Sequence, residues 1–113
     1  MEKIVEQGLL YDFYGELLTE HQRHIYEDVV FNDMSLSEIA EEQGISRQGV
    51  HDLIKRCDKI LTGYEEKLKL VQKFNQTKRM VEEIKELAGA YKQSGDISLI
   101  DRIENLSEEI GRL

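Results

Sequence analysis

The side chains best equipped to engage a ligand fall in one stretch, Ser46 to Lys59. Arg47 and Gln48 are the residue types that bond bidentately to guanine and adenine edges. Ser46 offers a hydroxyl and the free amides of a helix start to a phosphate, although its plain role is that of an N-cap. His51 and Asp52 extend the same polar face by one turn. Lys55, Arg56 and Lys59 supply cations of the kind that track a phosphate backbone. The candidate nucleic-acid-binding set is therefore Ser46, Arg47, Gln48, His51, Asp52, Lys55, Arg56 and Lys59. Lys67, Lys69 and Lys73 lie further along and suit a solvated helix face whose stems cover a bundle seam.

Other chemistries find little support. His21 and His24 are three residues apart, with Glu20 and Asp28 near. A zinc site wants four ligands, or three plus water, and no cysteine or further histidine stands nearby to complete one. Cys57 occupies an apolar helical stripe and has no histidine partner in a local catalytic pattern, so it reads as a small core residue. Tyr11, Phe13, Tyr14, Tyr26 and Phe31 read as core aromatics. Glycine-rich phosphate loops and zinc signatures are absent. No catalytic residue, metal or cofactor is expected, and the chain does not read as an enzyme.

The elements that must position the polar face are helices. The chain has 113 residues, no proline, three threonines and six valines, which argues against a turn-rich β fold. The fold class expected is all-α. A first helix runs from about Glu2 to Leu17. A second starts at Thr19 and ends near Asn32, and a third starts at Ser35 and stops at Gly44. Thr19 and Ser35 each stand three residues before a Gln or Glu, the capping-box spacing. A fourth follows Ser46 and runs on through Val50, Leu53, Ile54, Cys57, Ile60, Leu61, Tyr64, Leu68, Val71 and Phe74. That is about thirty residues against a usual dozen. Asn75 to Lys78 is the expected break, and Gly63 a place to bend. A fifth helix spans about Thr77 to Gln93. Ser94-Gly95-Asp96 makes a turn, with Asp96 capping the last helix.

Charge is segregated along this frame. The net charge is −8, a poor average for a nucleic-acid binder. Residues 1–45 hold 2 basic and 11 acidic residues, 46–79 hold 9 and 4, and 80–113 hold 4 and 8. The middle third is a basic island. No apolar run reaches the roughly 20 residues that cross a bilayer. The N-terminus has no signal-peptide pattern, and a lone cysteine suits a reducing compartment, so a cytoplasmic location is expected.

Leu36 to Lys55, LSEIAEEQGISRQGVHDLIK, has helix-turn-helix spacing. Ala40 is small where a second helix crosses at near contact. Gly44, four residues on, fits a left-handed joint. Ile39, Ile45, Val50 and Leu53 are expected to close the core under the crossing. The second helix of such a motif inserts its N-terminal residues into a major groove.

The stretch from Leu18 to Leu61 resembles region 4 of bacterial sigma factors. The matching marks are Leu18-Thr19-Glu20, Arg23, Ile25, Ser35 to Ala40, Gly44-Ile45-Ser46-Arg47, Val50 and Ile54-Lys55-Arg56. No segment that could melt a promoter precedes it, so a stand-alone sigma factor is not expected. The whole chain is similar to the YlxM family of small bacterial helix-turn-helix proteins, through Leu10 to Thr19 and the acidic C-terminal helices. That resemblance implies an all-helical cytoplasmic regulator and a link by gene neighbourhood to the signal recognition particle pathway.

The organisation expected is a sigma region 4-like helix-turn-helix domain over 1–62. A long linking helix would lead into a C-terminal helical bundle extension over 63–113. The function expected is regulatory binding of duplex DNA. The alternative is an adaptor that docks a signal recognition particle protein or RNA through the helical scaffold. The seam-like C-terminal helices, with Ile97, Leu99 and Leu87 partly off their stripes, point to a homodimer.

Overall fold

Short polar side chains set the helix starts. Thr19 Oγ1 accepts the Gln22 N–H at 3.2 Å while Gln22 Oε1 accepts the Thr19 N–H at 3.0 Å. Ser35 and Glu38 repeat the exchange at 3.1 Å in both directions. These are the two capping boxes, and each satisfies amides that a helix start leaves without partners. In the computed structural model, which describes residues 3–113, the helices are α1 (Lys3–Tyr14), α2 (Glu20–Val30), α3 (Leu36–Gln43), α4 (Arg47–Leu68), α5 (Leu70–Ser94) and α6 (Ser98–Gly111). No strand occurs among the described residues, so the protein is all-α. Glu2, expected to open the first helix, lies outside the described residues. The last turn of that expected helix is a separate 3-10 turn, Gly15–Leu17.

Residues 1–71 and 72–113 form two compact units. In the first, α1, α2, α3 and α4 bury one apolar cluster containing Tyr14, Leu18, Ile25, Tyr26, Ile39, Ala40, Val50, Ile54, Cys57 and Leu61. The α4 members Val50, Ile54, Cys57 and Leu61 recur at four, three and four, so one stripe of the helix faces inward. Gly15 is needed where it stands, because an added Cβ would lie 2.8 Å from the Tyr11 ring. Two of the expected core aromatics are more exposed than the pattern suggested. Phe13 is 38% and Phe31 51% accessible. Phe31 lies on the rim of the cluster, its ring 5.4 Å edge-on to Tyr11.

Buried hydroxyls tie these helices to acids. Tyr26 donates to Asp58 Oδ1 at 2.6 Å, and the Gln7 amide donates to both Asp58 oxygens at 3.0 and 3.2 Å. That network joins α1, α2 and α4. Tyr11 donates to Glu27. Burial and the acidic partners raise the phenols of Tyr11, Tyr14 and Tyr26 above their ordinary value.

The long fourth helix of the sequence reading is two helices, and the break is not at Asn75 to Lys78. It falls at Lys69, which takes the left-handed conformation at φ +55°. A cap from distant residues holds it there. Tyr14 donates to Glu65 Oε1 at 2.6 Å; the same carboxylate oxygen accepts the Val71 N–H at 2.9 Å, and Tyr14 Oη accepts the Leu70 N–H at 3.1 Å. The first amides of α5 thus find partners on α1 and α4.

In the second unit, α5 carries Leu70, Phe74, Thr77, Val81, Ile84, Ala88 and Tyr91 at alternating four- and three-residue steps. Such a seam is what coiled-coil packing uses. Gly95 turns the chain at φ +68°. Asp96, as expected, receives the Ser98 N–H at 3.0 Å at the start of α6. Arg102 on α6 reaches Glu83 on α5 at 3.2 Å. Leu106 is buried, yet no α5 residue is.

Candidate nucleic-acid interface

The joint between α3 and α4 carries the geometry the spacing implied. Gly44 ends α3 at φ +69°, and its N–H and that of Ile45 both return to the Ala40 carbonyl. Ala40 is 8% exposed and Ile39 and Val50 are buried under the crossing. The expected core differs in two members. Ile45 is 39% exposed because it sits in the turn itself. Ile54, one turn beyond Val50 on the same stripe, is buried, while Leu53 is only half-buried.

Ser46 starts α4, its hydroxyl accepting the Gly49 N–H at 2.9 Å. From there the stripe opposite the core turns outward. Ser46, Arg47, Gln48, Asp52, Lys55, Arg56 and Lys59 are exposed and His51 is half-buried. Arg47 and Gln48 join His51 and Leu36 around one shallow depression at the mouth of the motif. Gln48 is held by its own helix: its amide donates to Asp52 Oδ1 at 2.9 Å. The same oxygen lies 3.7 Å from His51 Nδ1, a buried nitrogen that has no hydrogen-bond partner.

The start of α4 differs electrically from those of α2 and α3. They place Glu20 and Glu38 in their first turns, where a carboxylate offsets the positive end of the helix. The first turn of α4 has no acid and begins with Arg47. Its free amides and guanidinium together favour an incoming anion.

A second depression runs further along α4. Arg56, Lys59 and Lys67 surround an apolar floor of Ile60, Gly63 and Tyr64. Arg56 and Lys59 therefore face away from the depression that holds Arg47 and Gln48. Lys67, assigned by its position to a solvated face, belongs with them. The signal was present in the sequence as the 56, 59, 60, 63, 64, 67 series, which repeats at three and four.

Cys57 is buried, and burial pushes its thiol up to about 11, as befits a packing residue. No described helix is long and apolar enough to cross a membrane.

Residues 1–103 match the UPF0122 family, whose description reads "Putative helix-turn-helix protein, YlxM / p13 like". A UPF0122 protein YlxM of Bacillus subtilis is 44% identical over 107 residues, covering 94% of this chain and 97% of that one. A UPF0122 protein of Acetivibrio thermocellus is 45% identical over 114 residues, 97% of each. Another, of Caldanaerobacter subterraneus, is 55% identical over 78 residues, 69% of this chain and 67% of its own.

Proposed function

The chain belongs to the UPF0122 family of YlxM/p13-like helix-turn-helix proteins, and from that premise we propose that it is a regulatory protein that binds duplex DNA. The N-terminal half of α4 enters the major groove in the manner of sigma region 4. One observation carries this reading: the outward face of α4 is polar and its acid-free N-terminus is headed by Arg47. Arg47 and Gln48 meet base edges, Gln48 first releasing Asp52. Ser46, His51 and Lys55 contact sugar and phosphate, and Arg56 and Lys59 flank them. Asp52 selects against phosphate approach at its position and favours a cytosine amine.

Two features support companion readings. Cations around an exposed tyrosine, as in the Arg56, Lys59, Lys67 and Tyr64 depression, suit stacked bases and phosphates of a structured RNA. This favours, as second reading, an adaptor for a ribonucleoprotein such as a signal recognition particle component. On α5, Val81 sits in the four-three seam but is 53% exposed, which supports a homodimer whose two motifs read two half-sites. The buried thiol suits a cytoplasmic, reducing setting.

The test is fluorescence anisotropy of the full chain against pooled genomic duplexes and against signal recognition particle RNA, each titrated with salt. Tighter binding to a subset of duplexes, weakened by Arg47→Ala, supports DNA. Saturable binding to RNA alone, weakened by Lys67→Ala and not by Arg47→Ala, selects the adaptor.

A further inference from the structure

Among the described residues one charged side chain lies in the core, Asp28 of α2, at 6% exposure. Its Oδ1 accepts the Asn32 amide at 2.9 Å. Its Oδ2 faces His24 Nε2, one helical turn back, at 3.7 Å, which is beyond hydrogen-bond length. The same His24 nitrogen lies 4.0 Å from Glu42 Oε1, which arrives from α3. One ligand atom from each of the three residues lies within 4.8 Å of the others.

We propose that His24, Asp28 and Glu42 bind a single divalent transition-metal ion, with Zn2+ as its representative, and so clip α2 to α3. A buried carboxylate held by one neutral amide is costly to keep ionised. A divalent ion with two carboxylates and a neutral imidazole forms a site of zero net charge, which removes that cost. His24 and Asp28 stand at i and i+4, the spacing that puts two ligands over one turn. Metal bonds of about 2.0–2.2 Å place tetrahedral ligands roughly 3.3–3.5 Å apart. The 3.7 and 4.0 Å separations must therefore close by under about 1 Å. His24 and Glu42 can supply this movement, since their side chains are 57% and 53% exposed. Asp28 is the fixed member, and Asn32 orients it from behind, as outer partners do for metal ligands. Water completes the coordination. The imidazole selects a transition metal over Mg2+ or Ca2+, which prefer oxygen alone. His21, the other histidine of α2, takes no part. This site is independent of the DNA reading.

The experiment is calorimetric titration of the chelator-treated full chain with Zn2+, with Co2+ absorption as a second readout. One saturable equivalent is expected, with Mg2+ in excess failing to compete. His24→Gln and Glu42→Gln should each weaken binding by at least about 10-fold, and Asn32→Ala by about 10–100-fold. His21→Gln should leave it unchanged. Both ligand variants alter exposed side chains, and matched metal-free melting curves show that they fold. Zn2+ should raise the melting temperature of the parent and not of these two. Absence of saturable binding overturns the proposal and leaves the three groups as a plain ion-pair cluster. So does binding that survives both His24→Gln and Glu42→Gln, or that His21→Gln abolishes.

Discussion

Substituting Gly44 isolates the backbone cost of the turn that aims α4. Gly44 sits at φ +69°, and a Cβ built there meets nothing within 4 Å. Any loss on adding a side chain is therefore conformational rather than steric. An L-residue in the left-handed region costs about 1–2 kcal/mol. Replacing glycine also stiffens the unfolded chain, which returns about 0.4–1 kcal/mol. Gly44→Ala should thus destabilise by about 1 kcal/mol, lowering the melting temperature by about 4–8 °C for a unit of this size. Gly44→Asn should lose less, because asparagine tolerates this region. Gly44→Val should lose more, up to about 3 kcal/mol, because branching at Cβ adds its own restriction. Gly95, at φ +68° with the same open surroundings, is the control in the second unit. Gly95→Ala should carry a similar strain but leave duplex binding alone, whereas Gly44→Val should impair both. The assay is circular dichroism melting paired with anisotropy. A Gly44→Ala protein that melts with the parent, or an asparagine variant less stable than the alanine one, would refute the reasoning.

Other consequences follow from the same packing and charge. Ala40→Leu should cost about 1–3 kcal/mol in urea unfolding, since Ala40 is buried at the α3–α4 crossing and has no room for a larger side chain. Lys55→Ala and Lys59→Ala should each weaken binding to all duplexes alike and flatten the salt slope by about one unit per lost phosphate contact. Asp52→Ala should tighten duplex binding, because it removes a negative charge from the face and frees the Gln48 amide. The Cys57 thiol is raised from 9.0 to about 11 by burial, so the folded state holds its proton more tightly than the unfolded state. Its contribution is intact below pH 9 and is lost as pH rises toward 11; urea midpoints should fall across that window in the parent and fall less in Cys57→Ala.

Sequence served best where structure is set by neighbours. Thr19 with Gln22 and Ser35 with Glu38 are caps three residues long, and both form as the spacing implied. Gly44 and Asp96 were likewise legible, because a left-handed joint and an Asx cap are local devices. The failure at Lys69 has the opposite cause. Nothing near Lys69 marks a helix end, and the apolar series runs straight across it. The partners that cap α5 are Glu65 and Tyr14, and Tyr14 is 56 residues from the Leu70 amide it meets. A break imposed by tertiary hydrogen bonds leaves no trace in periodicity. Ile45 failed for a related reason: an apolar residue in a tight turn satisfies the spacing rule, yet its side chain points where the turn directs it.

The candidate site divides along the same line. The polar stripe from Arg47 to Lys59 could be drawn from helical phase alone, since one face of α4 is apolar and the rest must be outward. Phase cannot say which outward residues share a surface. Gln48 and Asp52 are four apart and engage each other, so the chief base-reading amide starts out occupied. Arg56 and Lys59 turn toward Lys67 and Tyr64 rather than toward Arg47. Glu42 lies 18 positions from His24 in the chain but 4.0 Å from it in the fold. The charge balance acquires its meaning at this level too. The first 45 residues are strongly acidic, yet Glu20 and Glu38 sit at helix starts, Glu27 and Asp28 bond within the fold, and Glu42 faces His24. Much of that negative charge is engaged in building the scaffold. The acid-free start of α4 stands out against it, and a nearby anion therefore meets a local field opposite in sign to the net charge of the molecule.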